Sequence, residues 1–292
     1  MTLASAAVLA IWRYPVKAML GQRLDAALIG PGGCDGDRRF VVVDAATGRR
    51  IANKRGPTDP RLRACRAELL AGAAGRPALR ITLPDGEALE GPAIEDGLST
   101  LLERRVRLVA AEGPARGAFA ATGAYHDLAP IHLITTSTLT RLRAVAPGSD
   151  WDVRRFRPNV LLDDGVAEDG GTCGRRDPPA AFGFAEDALL GAALRAPSGL
   201  EMTVGLPTPR CVVPTRAHDG LPPDPAILRA VVAHHRIDLG PVGRQGCAGS
   251  YAEVVRPGSL RVGDRLDVHP EAGDPEPSEV IRSSLARLFP AA

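Results

Sequence analysis

Short apolar runs that end at a glycine- or proline-containing turn recur along most of the chain, and they constrain its fold more than any other feature. Residues 3–14 predict a first strand, and residues 78–83 predict a strand that turns at Pro84-Asp85-Gly86. Residues 250–255 and 260–268 predict two further strands joined by a Pro-Gly turn. Short strands at such spacing are typical of barrels and compact sheets, so we expect β-structure to dominate.

Helical patterns are confined to short segments between these strands. They cover residues 95–105, 139–146 and 226–236, and Asp224-Pro225 is a helix-capping pair before the last of them. Further strand-like segments are residues 39–44 and 50–54, which predict a hairpin, and residues 155–163, 188–194 and 200–213. These patterns predict a mixed α+β, β-rich fold with short helices, and the small-residue segment 113–123 is the expected domain boundary.

The composition indicates an ordinary globular protein. The 292 residues suffice for one large or two ordinary domains, and 45% are hydrophobic against 24% charged. The formal net charge of +2 argues against general nucleic-acid binding. The N-terminus lacks the basic start of a signal peptide, and no apolar run is long enough to span a bilayer. We therefore expect a cytoplasmic protein with no nucleic-acid or membrane partner.

The cysteines are scattered along the chain. Cys34, Cys65, Cys173, Cys211 and Cys247 show no C-x-x-C spacing, which argues against the common zinc and iron–sulfur motifs and against a dense disulfide scaffold. We expect reduced thiols. A free cysteine without other signals is most often a small buried hydrophobic residue.

Cys211 differs from the other cysteines in its neighbour. It directly follows Arg210, within a segment, residues 206–215, that prolines stiffen. A thiol beside a guanidinium favours the thiolate, which binds soft metals or attacks electrophiles. Taken alone, this segment still favours the buried-hydrophobe interpretation.

Short basic or polar clusters lie at the ends of several predicted strands, where binding sites are usually built. Several cations that converge on one place suit a phosphorylated anionic ligand, and hydroxyl groups at a helix N-terminus add donors. Each cluster by itself is better explained as a solvated charge or a helix cap. The clusters are Tyr14-Pro15-Val16-Lys17, Gly36-Asp37-Arg38-Arg39-Phe40, Asn53-Lys54-Arg55-Gly56-Pro57, Thr135-Thr136-Ser137, Phe156-Arg157-Pro158-Asn159 and Arg210-Cys211.

The order of these clusters resembles a known family. Y-P-V-K, G-D-R-R-F, F-R-P-N and R-C-x-x-P-T follow one another, and S-Y-A-E-V-V-R-P-G-S-L-R-V-G-D ends the series. The set resembles the MOSC family with its N-terminal β-barrel domain, over residues 3–268. That family includes the mitochondrial amidoxime-reducing component with its bacterial relatives, and the C-terminal part of molybdenum-cofactor sulfurases. The resemblance implies an N-terminal β-barrel-like domain over residues 1–115, a cofactor-binding MOSC β-barrel domain over 116–270 and a tail over 271–292.

The resemblance also implies a molybdenum–molybdopterin cofactor, with the thiolate of Cys211 as the protein ligand to the metal. No pyridoxal phosphate and no iron–sulfur cluster are expected in this chain. Arg39 fits the R-F register of the family better than Arg38, and strand alternation would point the two side chains to opposite faces. By motif match, the residues implied to bind the phosphate or the pterin are Lys17, Arg38, Arg39, Arg157, Asn159 and Arg210, with Thr135, Thr136, Ser137 and Thr215 as further candidates.

The activity that the resemblance implies is reduction of N-hydroxylated small molecules. The residues after Pro270 lack the cysteines of a C-x4-C-x2-C ferredoxin motif, so electrons would come from a separate donor protein of the ferredoxin or flavin/haem reductase type. One alternative is a cofactor or sulfur carrier module that resembles the sulfurase C-terminal part. Another is a metal-free, Cys-dependent transferase or hydrolase, for which His218 is the histidine nearest to Cys211 in sequence.

A few residues stay open at this stage. Cys247 could take part in redox chemistry, although a structural role is favoured. His126 and His132 could donate protons, although core or surface positions are favoured. The Gly- and Arg-rich segment 165–179 is predicted to be a surface insertion that borders the substrate site.

Overall fold

The computed structural model of the chain describes residues 3–51, 59–71, 77–111, 125–165 and 184–270. Four predictions therefore lie outside the described residues: the cluster at Asn53 to Pro57, the boundary segment 113–123, nearly all of the insertion at 165–179 with Cys173, and the tail after residue 270. Within the described part, no helix is long and apolar enough to cross a membrane.

The described residues form short strands and a few short helices. The strands in chain order are β1 (Ser5–Arg13), β2 (Gln22–Leu24), β3 (Ala26–Gly30), β4 (Gly33–Cys34), β5 (Phe40–Asp44), β6 (Arg66–Leu70), β7 (Ala78–Thr82), β8 (Ala88–Glu90), β9 (Val106–Ala110), β10 (Ile131–Thr135), β11 (Val160–Asp163), β12 (Ala193–Arg195), β13 (Glu201–Pro209), β14 (Arg236–Asp238), β15 (Arg244–Arg256), β16 (Gly258–Arg261) and β17 (Arg265–His269). The helices are α1 (Pro60–Ala64), α2 (Ala93–Leu102), α3 (Thr136–Val145) and α4 (Ala226–His234). The 3-10 turns are Val153–Phe156, Ala185–Leu189, Val213–Thr215 and Gly240–Val242.

The chain divides into two units. The first combines Met1–Ile11, Leu24–Cys34 and Asp127–Ala292, as far as these are described, and the second combines Trp12–Arg23 and Asp35–His126. The segments of the two units alternate along the sequence.

A closed seven-stranded barrel forms the centre of the first unit. Its order is β10-β11-β1-β17-β12-β13-β15, and β15 pairs back onto β10. The β10–β11 pair is parallel, whereas the other pairs are antiparallel. Period-two alternation places apolar residues such as Val8, Leu133 and Val204 in one buried core. A separate apolar cluster packs α3 and α4 together with Trp151 and Phe156.

Two small antiparallel sheets and two helices build the second unit. Strand β5 pairs with β9, and β6, β7 and β8 form a three-stranded sheet. Helix α2 turns Ile94, Leu98 and Leu102 into the core at helical spacing and ends at Glu103 in a left-handed conformation. The predicted mixed α+β, β-rich fold with barrel architecture is therefore confirmed.

Several predicted elements near the clusters were wrong in extent. The predicted strand 155–163 begins only at Val160, because the carboxylate of Asp152 caps the amide of Arg154 at 2.8 Å and starts a 3-10 turn. The predicted strand 200–213 ends at Pro209, so Cys211 lies in the loop that follows. The segment 188–194 begins in a 3-10 turn and becomes a strand only at Ala193.

The predicted hairpin of residues 39–44 and 50–54 is supported as far as the chain is described. Val43 and Arg50 form an antiparallel bridge, the amide of Asp44 donates to the carbonyl of Arg49 at 2.9 Å, and the amide of Ile51 donates to the carbonyl of Val42 at 3.0 Å. Strand β5 also pairs with β9, which local alternation does not encode because it depends on long-range packing.

Candidate functional site

Arg210 is a half-buried cation directly after β13, and its Nε atom is buried. Its Nη2 donates to the carbonyl oxygen of Phe156 at 2.8 Å, and its guanidinium lies 5.3 Å from the centre of the Phe156 ring. Within the described residues, its Nε has no hydrogen-bond partner and no carboxylate forms an ion pair with it. Burial lowers the pKa of Arg210, and nearby Tyr251 and Cys211 oppose this shift only in part. A half-buried guanidinium whose buried Nε has an unused donor favours an anion as its partner.

His132 on β10 orients Arg210. Its Nε2 lies 3.4 Å from Nη1 of Arg210, and its Nδ1 lies 3.4 Å from the carbonyl oxygen of Arg157. Arginine can only donate and a carbonyl can only accept, so these contacts select the neutral tautomer with the proton on Nδ1. Gly249, at a φ of +78°, makes room for the ring, because a Cβ atom there would lie 2.5 Å from Nε2 of His132.

The Phe156-to-Asn159 motif is joined to the same strand. The amide of Asn159 donates to the carbonyl of His132 at 2.7 Å, and its Oδ1 accepts from the amide of His132 at 3.1 Å. Arg157 has a φ of +54° and ends the preceding 3-10 turn. We call Arg210, His132, Phe156, Arg157 and Asn159 the Arg210 cluster.

The thiol of Cys211 is exposed and follows this cluster directly. The next two side chains, Val212 and Val213, are also exposed. Thr215 is buried, and its hydroxyl and amide both donate to the carbonyl of Val212, at 2.7 and 3.1 Å. In this position Thr215 shapes the turn after Cys211.

The other described cysteines differ chemically from Cys211. Cys34, Cys65 and Cys247 are buried. Burial raises the pKa of Cys65 and of Cys247 to about 12, so both stay protonated at neutral pH. In the described part of the chain, no group of three or more His, Cys, Asp or Glu residues could hold a metal ion.

The hydroxyl groups at the start of α3 are already bound by carboxylates. Thr136 Oγ1 donates to Asp164 Oδ1 at 2.9 Å, and the hydroxyl of Ser137 donates to Asp164 Oδ2. The amide of Ser137 also points to Asp164 Oδ1, at 3.3 Å. The carboxylate of Asp164 thus lies where an external anion would meet this helix N-terminus.

A second carboxylate binds the same helix end from inside the protein. Glu186 is buried, and its Oε1 accepts from the amide of Thr135 at 2.6 Å, while its Oε2 accepts from the hydroxyl of Thr138. Burial raises the pKa of Glu186, and the hydrogen bonds from Thr138 and Thr135 oppose that shift. Thr135 Oγ1 in turn accepts from the amide of Thr138 at 3.3 Å as the helix N-cap.

In the second unit, Lys17 and Arg38 both contact Tyr125. Lys17 Nζ donates to the carbonyl of Tyr125 at 3.0 Å, and the amide of Tyr125 donates to the carbonyl of Arg38 at 2.8 Å. The guanidinium of Arg38 lies 5.0 Å from the Tyr14 ring centre and forms an ion pair with the buried Asp37.

Arg39 differs from Arg38 although the two are adjacent. Its side chain is exposed and forms no ion pair within the described residues. Both carboxylate oxygens of Asp37 have partners within the protein, because Oδ1 accepts from the amide of Tyr14 at 2.7 Å and Oδ2 lies 3.7 Å from Nδ1 of His126.

The predicted residues therefore fall into separate groups. The first unit brings Arg210, Arg157 and Asn159 together around His132, and Cys211 and Thr215 follow Arg210 in sequence. In the same unit, Thr135, Thr136 and Ser137 bind the carboxylates of Glu186 and Asp164. Sequence reasoning missed Arg155, Asp37, Asp164 and Glu186. Glu186 could have been noticed as part of an acidic pair, Glu186-Asp187, in an apolar stretch, whereas the partners of Asp164 lie 27 and 28 residues away.

Two family models match the chain: the MOSC N-terminal beta barrel domain over residues 5–125 and the MOSC domain over residues 121–267. Similar solved structures include the YUAD protein from Bacillus subtilis, at 13% identity, 91% coverage of this chain and 97% of that chain, with a TM-score of 0.42. YiiM from Geobacillus stearothermophilus is 16% identical, with 63% of this chain and 84% of that chain covered and a TM-score of 0.34. No curated protein sequence matches the chain. Because the two models together span residues 5–267, the chain belongs to the MOSC-domain family.

Proposed function

We propose that this chain is a molybdenum-cofactor-dependent reductase of N-hydroxylated small molecules that takes its electrons from a separate protein. MOSC domains are associated with molybdenum-cofactor binding in the family. The observation that carries the proposal is the Arg210–Cys211 pair, in which a half-buried guanidinium, with a buried Nε that has no hydrogen-bond partner among the described residues, precedes an exposed thiol.

Buried polar atoms around β13 fit an anionic, oxygen-rich group. Besides Arg210 Nε, the buried hydroxyls of Thr208 and Ser250 have no hydrogen-bond partner within the described residues. Thr208 lies two residues before Arg210 on the chain, and Ser250 pairs with Pro207 in the β13–β15 ladder. Each such atom is costly to bury unless a ligand or an ordered water binds it.

The residues that would hold the cofactor come from two sources. Cys211 would bind the metal, and Arg210 and Arg157 would bind negative charge, on the basis of their position in the first unit. Lys17 and Arg39 enter the proposal through the family resemblance alone. We leave out Thr136 and Ser137 in particular, because Asp164 already accepts their hydrogen bonds.

When bound, the cofactor would supply a two-electron couple at the Cys211 thiolate. An N–OH group is then reduced to N–H by two electrons and two protons, with release of water. His132 keeps its neutral tautomer and thereby holds the guanidinium in place, while the prolines that flank Cys211 keep its segment stiff.

Reduction of benzamidoxime with an artificial electron donor tests the proposal. Protein from a host that makes the molybdenum cofactor should convert benzamidoxime to benzamidine, and Cys211→Ser should lower the rate by at least about a hundredfold. Cys247→Ser is the matched control and should keep most of the activity.

Two other outcomes would contradict the reductase assignment. Bound molybdenum and pterin without any reduction of N–O substrates would favour the carrier function that the sulfurase C-terminal part suggests. Protein without molybdenum or pterin would exclude both functions.

A further inference from the structure

Arg155 is a buried arginine whose guanidinium contacts backbone carbonyls. The residue is 1% exposed, and its Nε donates to the carbonyl of Asp150 at 2.9 Å. Its Nη2 donates to the carbonyl of Pro222 at 2.9 Å, and its Nη1 donates to the carbonyls of Pro214 and Arg216, each at 3.4 Å. No carboxylate forms an ion pair with it within the described residues. Burial of a charge is unfavourable unless the surrounding groups compensate for it, so these carbonyls are the reason it is tolerated.

Three of these carbonyls belong to the loop after β13, which we call the Cys211 segment (residues 211–224). The segment folds on itself through local hydrogen bonds, such as the amide of Asp224 to the carbonyl of Thr215 at 2.9 Å and that of Leu221 to the carbonyl of His218 at 2.8 Å. Prolines at 214, 222 and 223 lack the amide donors that a sheet ladder needs. Contacts with Arg155 therefore tie this segment to the body of the unit.

The residues on either side of Arg155 bind the same loop. Arg154 Nη1 donates to Asp219 at 2.8 Å within the Cys211 segment, and the carbonyl of Phe156 accepts from Arg210 at 2.8 Å. Three consecutive residues thus contact the loop before Cys211, in its middle and near its end. Their own turn is fixed because the Phe156 ring stacks on Trp151 at 6.3 Å.

We infer that Arg155 is a positioning residue that holds the Cys211 segment, and with it the Cys211 thiol, in place against the Arg210 cluster. The effect of Arg155 on catalysis rests on the proposed function, in which Cys211 binds the metal. The planar guanidinium directs donors to several carbonyls at once. A lysine places one compact charge and can satisfy only part of this set, and an apolar side chain leaves the loop carbonyls without their donor.

Amide hydrogen exchange of the full chain tests the inference. In Arg155→Met, the amides of Thr215, Arg216, Leu221 and Asp224 should exchange at least about tenfold faster than in the wild type, while those of the barrel strands keep their rates. Arg155→Lys should show a smaller increase, as partial rescue. Arg141→Met, which changes an exposed arginine on α3, is the matched control and should leave the segment unchanged.

Two results would overturn the inference. One is an unchanged exchange rate of the segment in Arg155→Met. The other is an equal increase across the barrel, which would make Arg155 a general stabilising residue. If Arg155→Met does not fold, Arg155→Lys gives the second test, because a lysine can satisfy only part of the carbonyl set, and an unchanged exchange rate of the segment in that variant would contradict the inference.

Molybdenum content of the same preparations separates this inference from the proposed function. Retained molybdenum should fall from wild type to Arg155→Lys to Arg155→Met. If the wild type itself holds no molybdenum, the proposed function fails, whereas the exchange pattern still decides whether Arg155 positions the segment. Equal molybdenum content in all three, with a loosened segment, would show that the thiol does not depend on Arg155.

Discussion

The Arg210 cluster and the N-terminus of α3 both carry polar groups that suit a cofactor phosphate, yet the chain completes them in opposite ways. At α3, Asp164 and Glu186 accept the hydrogen bonds of the hydroxyls and amides. At Arg210, the hydrogen-bond partners of the guanidinium within the described residues are a neutral carbonyl and an imidazole, the carboxylate of Asp127 acts on it without forming an ion pair, and Nε has no partner. The difference indicates that the polar groups at the start of α3 already have acceptors within the protein, whereas Nε of Arg210 remains available to an anionic ligand.

The largest predicted effect on stability is at Glu186, which binds the start of α3. Glu186→Ala should lower the free energy of unfolding by about 3 kcal/mol, because the amide of Thr135 and the hydroxyl of Thr138 lose their buried acceptor. Glu186→Gln keeps one oxygen for the amide and an NH2 group for the hydroxyl, so it should cost less than about 1 kcal/mol. Urea unfolding measures both. Equal losses in the two variants would show that side-chain volume, and not hydrogen bonding, matters at this position.

The same distinction applies to the adjacent arginines of the second unit. Arg38→Leu should destabilise the fold by about 2 kcal/mol, because it leaves the buried carboxylate of Asp37 without its charged partner. Arg39→Leu, at an exposed side chain, should change stability by less than about 0.5 kcal/mol but should reduce cofactor retention. Thermal unfolding and pterin content of each variant check this prediction. A larger stability loss in Arg39→Leu than in Arg38→Leu would mean that Arg39, and not Arg38, has the structural role.

Mild acid should weaken the fold near the Arg210 cluster. Burial, together with the charge of Arg157, lowers the pKa of His218 from 6.5 to about 4. Between pH 6.5 and pH 4, His218 binds a proton in the unfolded chain but stays neutral in the folded chain. The free energy of unfolding therefore falls as the pH drops below 6.5, by up to about 1.4 kcal/mol per pH unit. His218→Gln should be less sensitive to pH between 7 and 5 in urea unfolding. An identical pH dependence in both proteins would remove His218 from this account.

A small effect on stability is also predicted at Arg210. In cofactor-free protein, Arg210→Met should change the free energy of unfolding by at most about 1 kcal/mol, because no carboxylate loses a partner and one carbonyl loses a donor. Retention of pterin should nevertheless fall strongly. A stability loss as large as that of Glu186→Ala would mean that Arg210 stabilises the fold in the same way as Glu186, and would contradict the difference between the two regions.

Local sequence patterns predicted much of the fold. Strand β1, helix α2 and the start of α3 after Thr135 follow from alternation, helical spacing and a capping side chain, all of which act over a few residues. The pairing of β5 with β9 could not be predicted, because the two strands lie far apart in sequence and meet only in the assembled core.

The candidate site shows the same limit. The order of the polar motifs singled out Arg210, Cys211 and Asn159, because each lies in a short recognisable segment. Sequence gave no sign that Asp164 reaches Thr136 across 28 residues, or that Arg155 contacts the carbonyl of Pro222 across 67. Whether a polar side chain already has a partner is a property of the folded chain, and it decides whether that side chain remains available to a ligand.

The central claim is that the Arg210–Cys211 loop is where this chain binds its metal cofactor. The most direct measurement is the molybdenum and pterin content of wild type, Cys211→Ser and Cys247→Ser, each purified from a host that makes the cofactor. We expect near-stoichiometric molybdenum in the wild type and in Cys247→Ser, whose buried thiol stays protonated, and little in Cys211→Ser. Equal molybdenum in all three proteins, or none in the wild type, would contradict it.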